Sequence, residues 1–282
     1  MDYRKRFYVN PDEKLRLSKL DADYRGDHES EEAAKQETEH YRVKLAHQQA
    51  LLYAQRMHSV LVVLQALDAG GKDGTVSHVF SALNPQGTTV VGFKQPTAAD
   101  LAHDFLWRVH PHAPGRGEVA IFNRSHYEDV LVTRVHKLID EATWIARYKR
   151  IREFEAGLTD NGTTMLKFFL HISKEEQLAR FAERLEDPKR NWKISEADYT
   201  ERELWDDYIA AFEDAISATS TREAPWYIVP SNHKWFRNLA VSQILADAME
   251  ALGMAFPKSS VDLPEIRRKY HAAVQEGREH KR

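Results

Sequence analysis

Residues 59–75 read SVLVVLQALDAGGKDGT. The stretch opens with an unbroken apolar run, Val60-Leu61-Val62-Val63-Leu64. Short, β-branched and non-alternating, it has the character of a strand buried on both faces of a parallel sheet. It gives way to Asp68-Ala69-Gly70-Gly71-Lys72-Asp73-Gly74-Thr75, and a helical pattern follows at Val76, Val79, Phe80 and Leu83. Strand, glycine-rich turn, lysine and helix is the layout of a phosphate-binding loop. Glycine lets backbone N–H groups face a phosphate with no Cβ in the way. The helix start adds a positive dipole end, and Lys72 adds a point charge. The usual spacing G-x-x-x-x-G-K-[ST] is met imperfectly: Ala66 stands at the first glycine, and Asp73 follows the lysine where a hydroxyl is usual. Thr75 lies close enough to replace that hydroxyl. Taken alone, the same residues would also suit an ordinary tight turn carrying a solvated lysine.

Outward from this stretch, residues 1–30 are charged and aperiodic and read as an extended surface arm. Residues 30–58 read as a helix with Leu45, Leu51, Leu52 and Met57 on its apolar side. On the other side of the loop, Asn84-Pro85-Gln86-Gly87 is a turn and Thr88–Phe93 a strand. Thr97 and Asp100 are cap candidates for a helix through Leu101, Phe105, Leu106 and Val109. Val119–Phe122 is a buried strand followed by a helix carrying Val130, Leu131, Arg134 and Leu138. A helix over 141–158 and a strand over 163–171 come next, and Ser173 to Glu176 matches a capping box. Periodicity breaks around Pro188, returns as one long helix over 196–217, and ends in a strand at 226–229 and a helix over 234–252. From Pro257 onward the chain is polar and reads as a loose tail. Strands alternating with helices predict an α/β fold, three layers around a parallel five-stranded sheet. Ligands of such sheets bind beyond the C-terminal strand ends. Three charged stretches fall there: Asp68–Thr75, Lys94–Thr97 and Asn123–Glu128.

The 282 residues suffice for one large domain. Apolar residues make up 42 % and charged residues 29 %, an ordinary globular balance. A net charge of −3 gives no overall basic signature for nucleic acid. With no cysteine, disulfides, thiol catalysis and cysteine–zinc sites are excluded. No apolar run approaches the roughly 20 residues that span a bilayer, and residues 1–14 lack a signal-peptide core. The expectation is a cytoplasmic protein without membrane or nucleic-acid partners.

Several side chains could carry chemistry. Asp68 at the strand end is the candidate Mg2+ ligand, since Mg2+ favours carboxylates and phosphate oxygens; a turn-capping aspartate is the alternative. Asn123 stands where a second metal-binding acid is common. Arg124 follows a buried strand at the same sheet edge as Lys72, where a guanidinium could stabilise a transferring phosphoryl group. Glu128 and Asp129 open a helix, where the dipole stabilises acids in any case; a functional role is the equal alternative. Arg180, Arg184, Lys189, Arg190 and Lys193 cluster around Trp192 at a proline-interrupted break. A charge run is usually a solvated face; a tryptophan among the cations suggests instead a mobile lid over an anionic ligand.

Together these motifs resemble the polyphosphate kinase 2 family over about residues 40–255. The resemblance rests on Asp68–Thr75, Phe93–Thr97, His103–Arg108, Phe122–Asp129, Asn191–Lys193 and Ala224–Pro230. It implies a P-loop kinase fold with a helical lid over 180–200, an arm and helix packed on it over 1–58, a core domain over 59–256 and a polar tail over 257–282. It further implies reversible transfer of the terminal phosphoryl group of inorganic polyphosphate to adenine or guanine nucleotides, with Mg2+ or Mn2+, by a homo-oligomer. Asp68, Lys72 and Arg124 match family catalytic positions, and Arg184 matches the family's lid arginine. Ala69, Gly70, Gly71, Asp73, Gly74 and Thr75 belong to the phosphate loop. Lys94, Asn123, Lys189, Arg190, Trp192 and Lys193 would help to hold phosphates or nucleotide. Two departures stand out: Asn123 replaces an aspartate common in the family, and Glu128 replaces an asparagine common in diphosphate-using members. The acidic version resembles the subgroup that accepts both AMP and ADP. An ATP-dependent nucleoside monophosphate kinase and a non-catalytic P-loop sensor are the alternatives.

Overall fold

The computed structural model describes residues 1–11, 13–28 and 30–279, with side chains through residue 276. The chain runs α1 (Tyr3–Arg6), α2 (Glu31–Gln55), β1 (Ser59–Gln65), α3 (Lys72–His78), β2 (Thr88–Gly92), α4 (Ala98–Leu101), β3 (Val119–Asn123), α5 (Val132–Val135) and α6 (Glu141–Asp160). It continues through β4 (Thr163–His171), α7 (Lys174–Glu186), α8 (Glu196–Glu203), α9 (Trp205–Thr219), β5 (Trp226–Pro230), α10 (Lys234–Glu250) and α11 (Leu263–Glu279). The strands form one sheet in the order β2-β3-β1-β4-β5, and every pair is parallel.

β1 lies at the centre because it is apolar on both faces. Its side chains alternate across the sheet. Val60, Val62 and Leu64 pack with Leu45 and Leu52 of α2 and with Phe236, Leu239 and Ile244 of α10. Leu61 and Val63 pack on the opposite face with Ile151 and Phe154 of α6 and Phe212 and Ile216 of α9. Helices on both faces of a parallel sheet make the expected three layers. The C-terminal ends of β1, β2 and β3 lie side by side, with Leu64 opposite Asn123 and Asn123 opposite Gly92.

The arm is not a surface strap. Tyr3, Phe7 and Leu17 are buried, and Tyr8 bridges antiparallel to Tyr227 on the outer edge of β5. The aromatic residues decide this: Tyr3 and Phe7 both pack against Phe236. Other differences arise where side chains compete for backbone groups. Thr97 and Asp100 form a complete capping box, yet α4 lasts one turn. The Asp104 carboxylate then takes the Leu106 N–H, and Leu101 is left exposed. After β3 the chain makes a 3-10 turn at His126–Asp129 and the single turn of α5, ending where Lys137 adopts φ 54°. The long helix of 196–217 divides into α8 and α9 at Leu204. At Ser173 the side chain accepts from Glu176 N, but the Glu176 carboxylate pairs with Arg180 at 2.7 Å instead of closing a box. The tail contains a helix, α11, with Leu263, Ile266 and Tyr270 exposed; residues 280–282 lie outside the described residues.

Candidate active site

Beyond β1 the loop folds tightly over the strand end. Gly70 N donates to Leu67 O at 3.0 Å, and a Cβ on Gly70 would come within 2.5 Å of Ala66 Cβ. Ala69 (φ 59°) and Gly71 (φ 104°) both lie in the left-handed region, which for an alanine stores strain. Lys72 opens α3 and turns back, its ammonium donating to Ala66 O at 2.8 Å. Burial lowers its pKa, and the Arg124 guanidinium adds to the effect. Thr75 is buried, and its hydroxyl donates to Gly71 O at 3.1 Å. It therefore does not line the cleft, contrary to expectation, because the hydroxyl is occupied by the preceding turn of helix.

Beyond β3, Arg124 also takes a left-handed conformation, φ 61°, and its N–H donates to Leu64 O at 3.1 Å. This sharp exit aims the guanidinium back across β1. Its Nη2 donates to Asp68 Oδ1 at 3.2 Å, and its Nη1 lies 3.9 Å from Glu128 Oε2. Burial raises the Glu128 carboxyl, against the opposing pull of Arg124 and Lys72. A buried polar network pins the loop from below. Tyr127 donates to Glu155 at 2.7 Å, His126 meets the same oxygen at 3.2 Å, and Lys167 donates to the other at 2.6 Å. Lys167 also donates to Thr219 O at 2.8 Å.

Two cavities meet at this cluster. The larger, about 1280 Å3, is walled by the phosphate loop from Asp68 to Gly74, by Lys94 and Asn123, and by Arg184, Arg190, Trp192 and Lys193. The smaller, about 260 Å3, is bounded by Glu128, Leu131, Trp205, Tyr208 and Phe212. Asp68 and Arg124 stand in the walls of both. Lys72 faces only the larger cavity and Glu128 only the smaller. Lys189 is exposed and does not line either cavity; its carbonyl holds Trp192 Nε1 at 3.0 Å. Asn123 donates to Asp73 at 2.8 Å, and Lys193 reaches Asp73 at 3.7 Å, linking the break after α7 to the phosphate loop. Arg184 donates to Lys193 O at 3.0 Å and pairs with Asp198 at 3.5 Å.

The residues matching 28–256 fit the family model for polyphosphate kinase 2. The chain belongs to the polyphosphate kinase 2 family. It is 50 % identical over 255 residues to the AMP/ADP-polyphosphate phosphotransferase of Meiothermus ruber, covering 90 % of this chain and 96 % of that one. It is 44 % identical over 272 residues to the ADP-polyphosphate phosphotransferase of Rhodopseudomonas palustris, covering 91 % and 93 %. Its fold matches the crystal structure of polyphosphate kinase 2 from Arthrobacter aurescens TC1 with a TM-score of 0.93 at 39 % identity, over 96 % of this chain and 97 % of that one.

Two cations differ from the sequence reading, which places Arg180 among the lid cations and leaves Arg237 out. Arg180 is buried, not solvated; it donates to Ala69 O at 2.8 Å, to Asn232 O at 3.1 Å and to Ser231 O, and so ties α7 to the loop. Arg237 of α10 lies against Gly71 and Gly74. Helical spacing i, i+4 from Glu176 to Arg180 was a usable signal for the first. Nothing local marks the second.

Proposed function

We propose that the protein transfers the terminal phosphoryl group of inorganic polyphosphate to AMP and ADP, giving ADP and ATP, and that it runs reversibly. The observation that carries the reading is the sharing of Asp68 and Arg124 between the cationic cleft and the smaller, partly aromatic cavity. A polyanionic donor suits the first, where backbone N–H groups, Lys72, Arg184 and Lys193 offer donors. A nucleotide suits the second, with its base against Trp205, Tyr208 or Phe212. The phosphoryl group then passes at the junction, where Arg124 stabilises charge on its equatorial oxygens and Lys72 holds the donor.

Among the described residues no group of three or more Asp, Glu or His side chains could hold a metal alone. Mg2+ commonly takes one or two carboxylates together with substrate phosphates and water. The donor set at the junction fits that habit: Asp68 supplies a hard anionic oxygen, one-third exposed and facing both cavities. Bound Mg2+ would neutralise phosphate charge, and Mn2+ would serve in the same way. The segment over 180–200, from the second half of α7 into α8, is taken as the lid; the buried Arg180 anchors its start, and beyond α7 Trp192 is 77 % exposed and Lys193 is tethered to Asp73. No helix among the described residues is long and apolar enough to cross a membrane. We take the enzyme as cytoplasmic and homo-oligomeric; the exposed apolar side chains of α11 favour self-association.

The test is purified protein with Mg2+, polyphosphate and AMP. The expected result is ADP and then ATP without added ATP. Transfer only from ATP would make the protein a nucleoside monophosphate kinase, and binding without turnover would make it a sensor.

A further inference from the structure

Arg237 is 2 % exposed and lies in the wall of the large cleft. Its Nε and Nη2 both donate to one amide oxygen, Asn238 Oδ1, at 3.2 and 2.9 Å. No carboxylate among the described residues forms an ion pair with it. The neighbouring cations are matched: Arg180 pairs with Glu176, and Lys234 with Glu183. Burial and the nearby Arg180 push Arg237 down to about 9, so it remains charged at neutral pH. Taking an unpaired guanidinium out of water is strongly unfavourable.

The position of the charge is specific. A Cβ on Gly71 would come 1.9 Å from Arg237 Nη1 and 3.5 Å from Arg180 Nη1, and one on Gly74 would come 2.9 Å from Arg237 Nη2. Two guanidiniums therefore converge at Gly71, and the missing side chains of both glycines make room for Arg237. The glycines serve the backbone turn and also the close approach of this cation. The ligand chemistry that would complete the arrangement is an oxyanion with several acceptor oxygens, which a forked guanidinium is shaped to hold.

We propose that Arg237 is a donor-binding residue, holding a phosphate unit of the polyphosphate chain in the cleft beside Gly71, so that the substrate is its counter-ion. This rests on the phosphotransferase reading of the cleft. The inference separates Arg237 from Arg180. Arg180 fastens α7 to the loop in the absence of ligand, whereas Arg237 is completed only by the donor.

The experiment compares wild type with Arg237→Met and Arg237→Gln by thermal unfolding, with and without inorganic tripolyphosphate, and by steady-state kinetics with Mg2+. Without ligand, both variants are expected to melt at or above the wild-type temperature, since an unpaired buried charge has been removed. The tripolyphosphate-induced rise in Tm should shrink. KM for polyphosphate should rise about tenfold or more, as for the loss of one charged hydrogen-bond partner, while KM for AMP stays unchanged. If Arg237→Met fails to fold, Arg237→Gln must still show the selective rise in KM for polyphosphate. A folded Arg237→Gln with wild-type KM for polyphosphate and an undiminished tripolyphosphate shift overturns the proposal and leaves a structural cation. The wild-type protein separates the two readings. Absence of transfer from polyphosphate there, with the tripolyphosphate shift still dependent on Arg237, would refute the phosphotransferase reading and keep the anion site.

Discussion

Lys72 is half-buried in the wall of the cleft, with its ammonium held against Ala66 O. Lys72→Ala should therefore leave the fold intact and lower turnover by about 10²–10³, the usual loss for one preorganised charge at a reacting centre. Near-normal turnover by a folded variant would remove Lys72 from the chemistry. Asp68→Asn keeps the shape but loses the hard anionic oxygen, so a Mg2+ titration of activity should shift to higher concentration. An unshifted titration would move the metal to other ligands. Glu128 lines the smaller cavity only, 3.9 Å from Arg124. On the proposed reading, AMP, one phosphate shorter than ADP, leaves a gap at the junction that the carboxylate would organise. Glu128→Asn should reduce kcat/KM for AMP more than for ADP, and equal losses would show that acceptor choice is set elsewhere. The placement of these residues at the cavities was legible because each follows a buried apolar strand, and strand ends deliver side chains to that edge. Arg237 was not, since it sits in the second turn of a distant helix and its meaning depends on Gly71 and Gly74. Thr75 and Lys189 were legible as types of residue but not as directions: one hydroxyl turns into its own helix and one ammonium turns to solvent.

Between α7 and α8 the chain is organised by local bonds. Asn191 donates to the carbonyls of Arg184 and Leu185 at 2.7 and 2.9 Å, and Arg190 pairs with Glu183 and Asp187. Trp192 is exposed; its Nε1 donates to Lys189 O, and the Lys193 ammonium lies 5.0 Å from its ring centre. Deleting Asp187–Lys193 should keep one cooperative unfolding transition while lowering turnover about a hundredfold or more, because misplacing phosphate-holding groups is costly to rate. A deletion that abolished folding would show the segment to be structural. The strands were legible nearly to their ends, since continuous apolar runs have few alternatives. The helices beyond β2 and β3 were not. There the spacing of Leu101, Phe105 and Val109 imitates a helix, but side-chain oxygens at Asp104 and Ser125 take N–H groups that a helix would use.

Across the whole molecule, the pair Lys167–Glu155 joins β4 to α6 and, through Tyr127 and Thr219, joins the catalytic loop to α9. Burial alone would raise the Glu155 carboxyl; the Lys167 ammonium and His126 bring it below its usual range. Lys167→Met would leave that carboxylate buried without its cation, and thermal or urea unfolding should register a loss of about 3–5 kcal/mol. A loss below about 1 kcal/mol would mean that the network is relieved by water or by proton uptake. The overall α/β class was legible from the alternation of strands and helices. The arm was not, because its partners are remote in sequence. Tyr3 N donates to Gln243 Oε1, Val9 N to Trp226 O and Leu17 N to Glu213 Oε1. During synthesis the arm thus emerges with nothing to bind, and its aromatic side chains wait for the chain to reach α10. At about 5–20 residues per second that delay is roughly 10–50 s. The arm precedes its partners in synthesis and settles only after they have emerged. Ribosome-bound chains stopped before β5 should have their first twenty residues open to protease and chaperones, and chains stopped well beyond α10 should protect them.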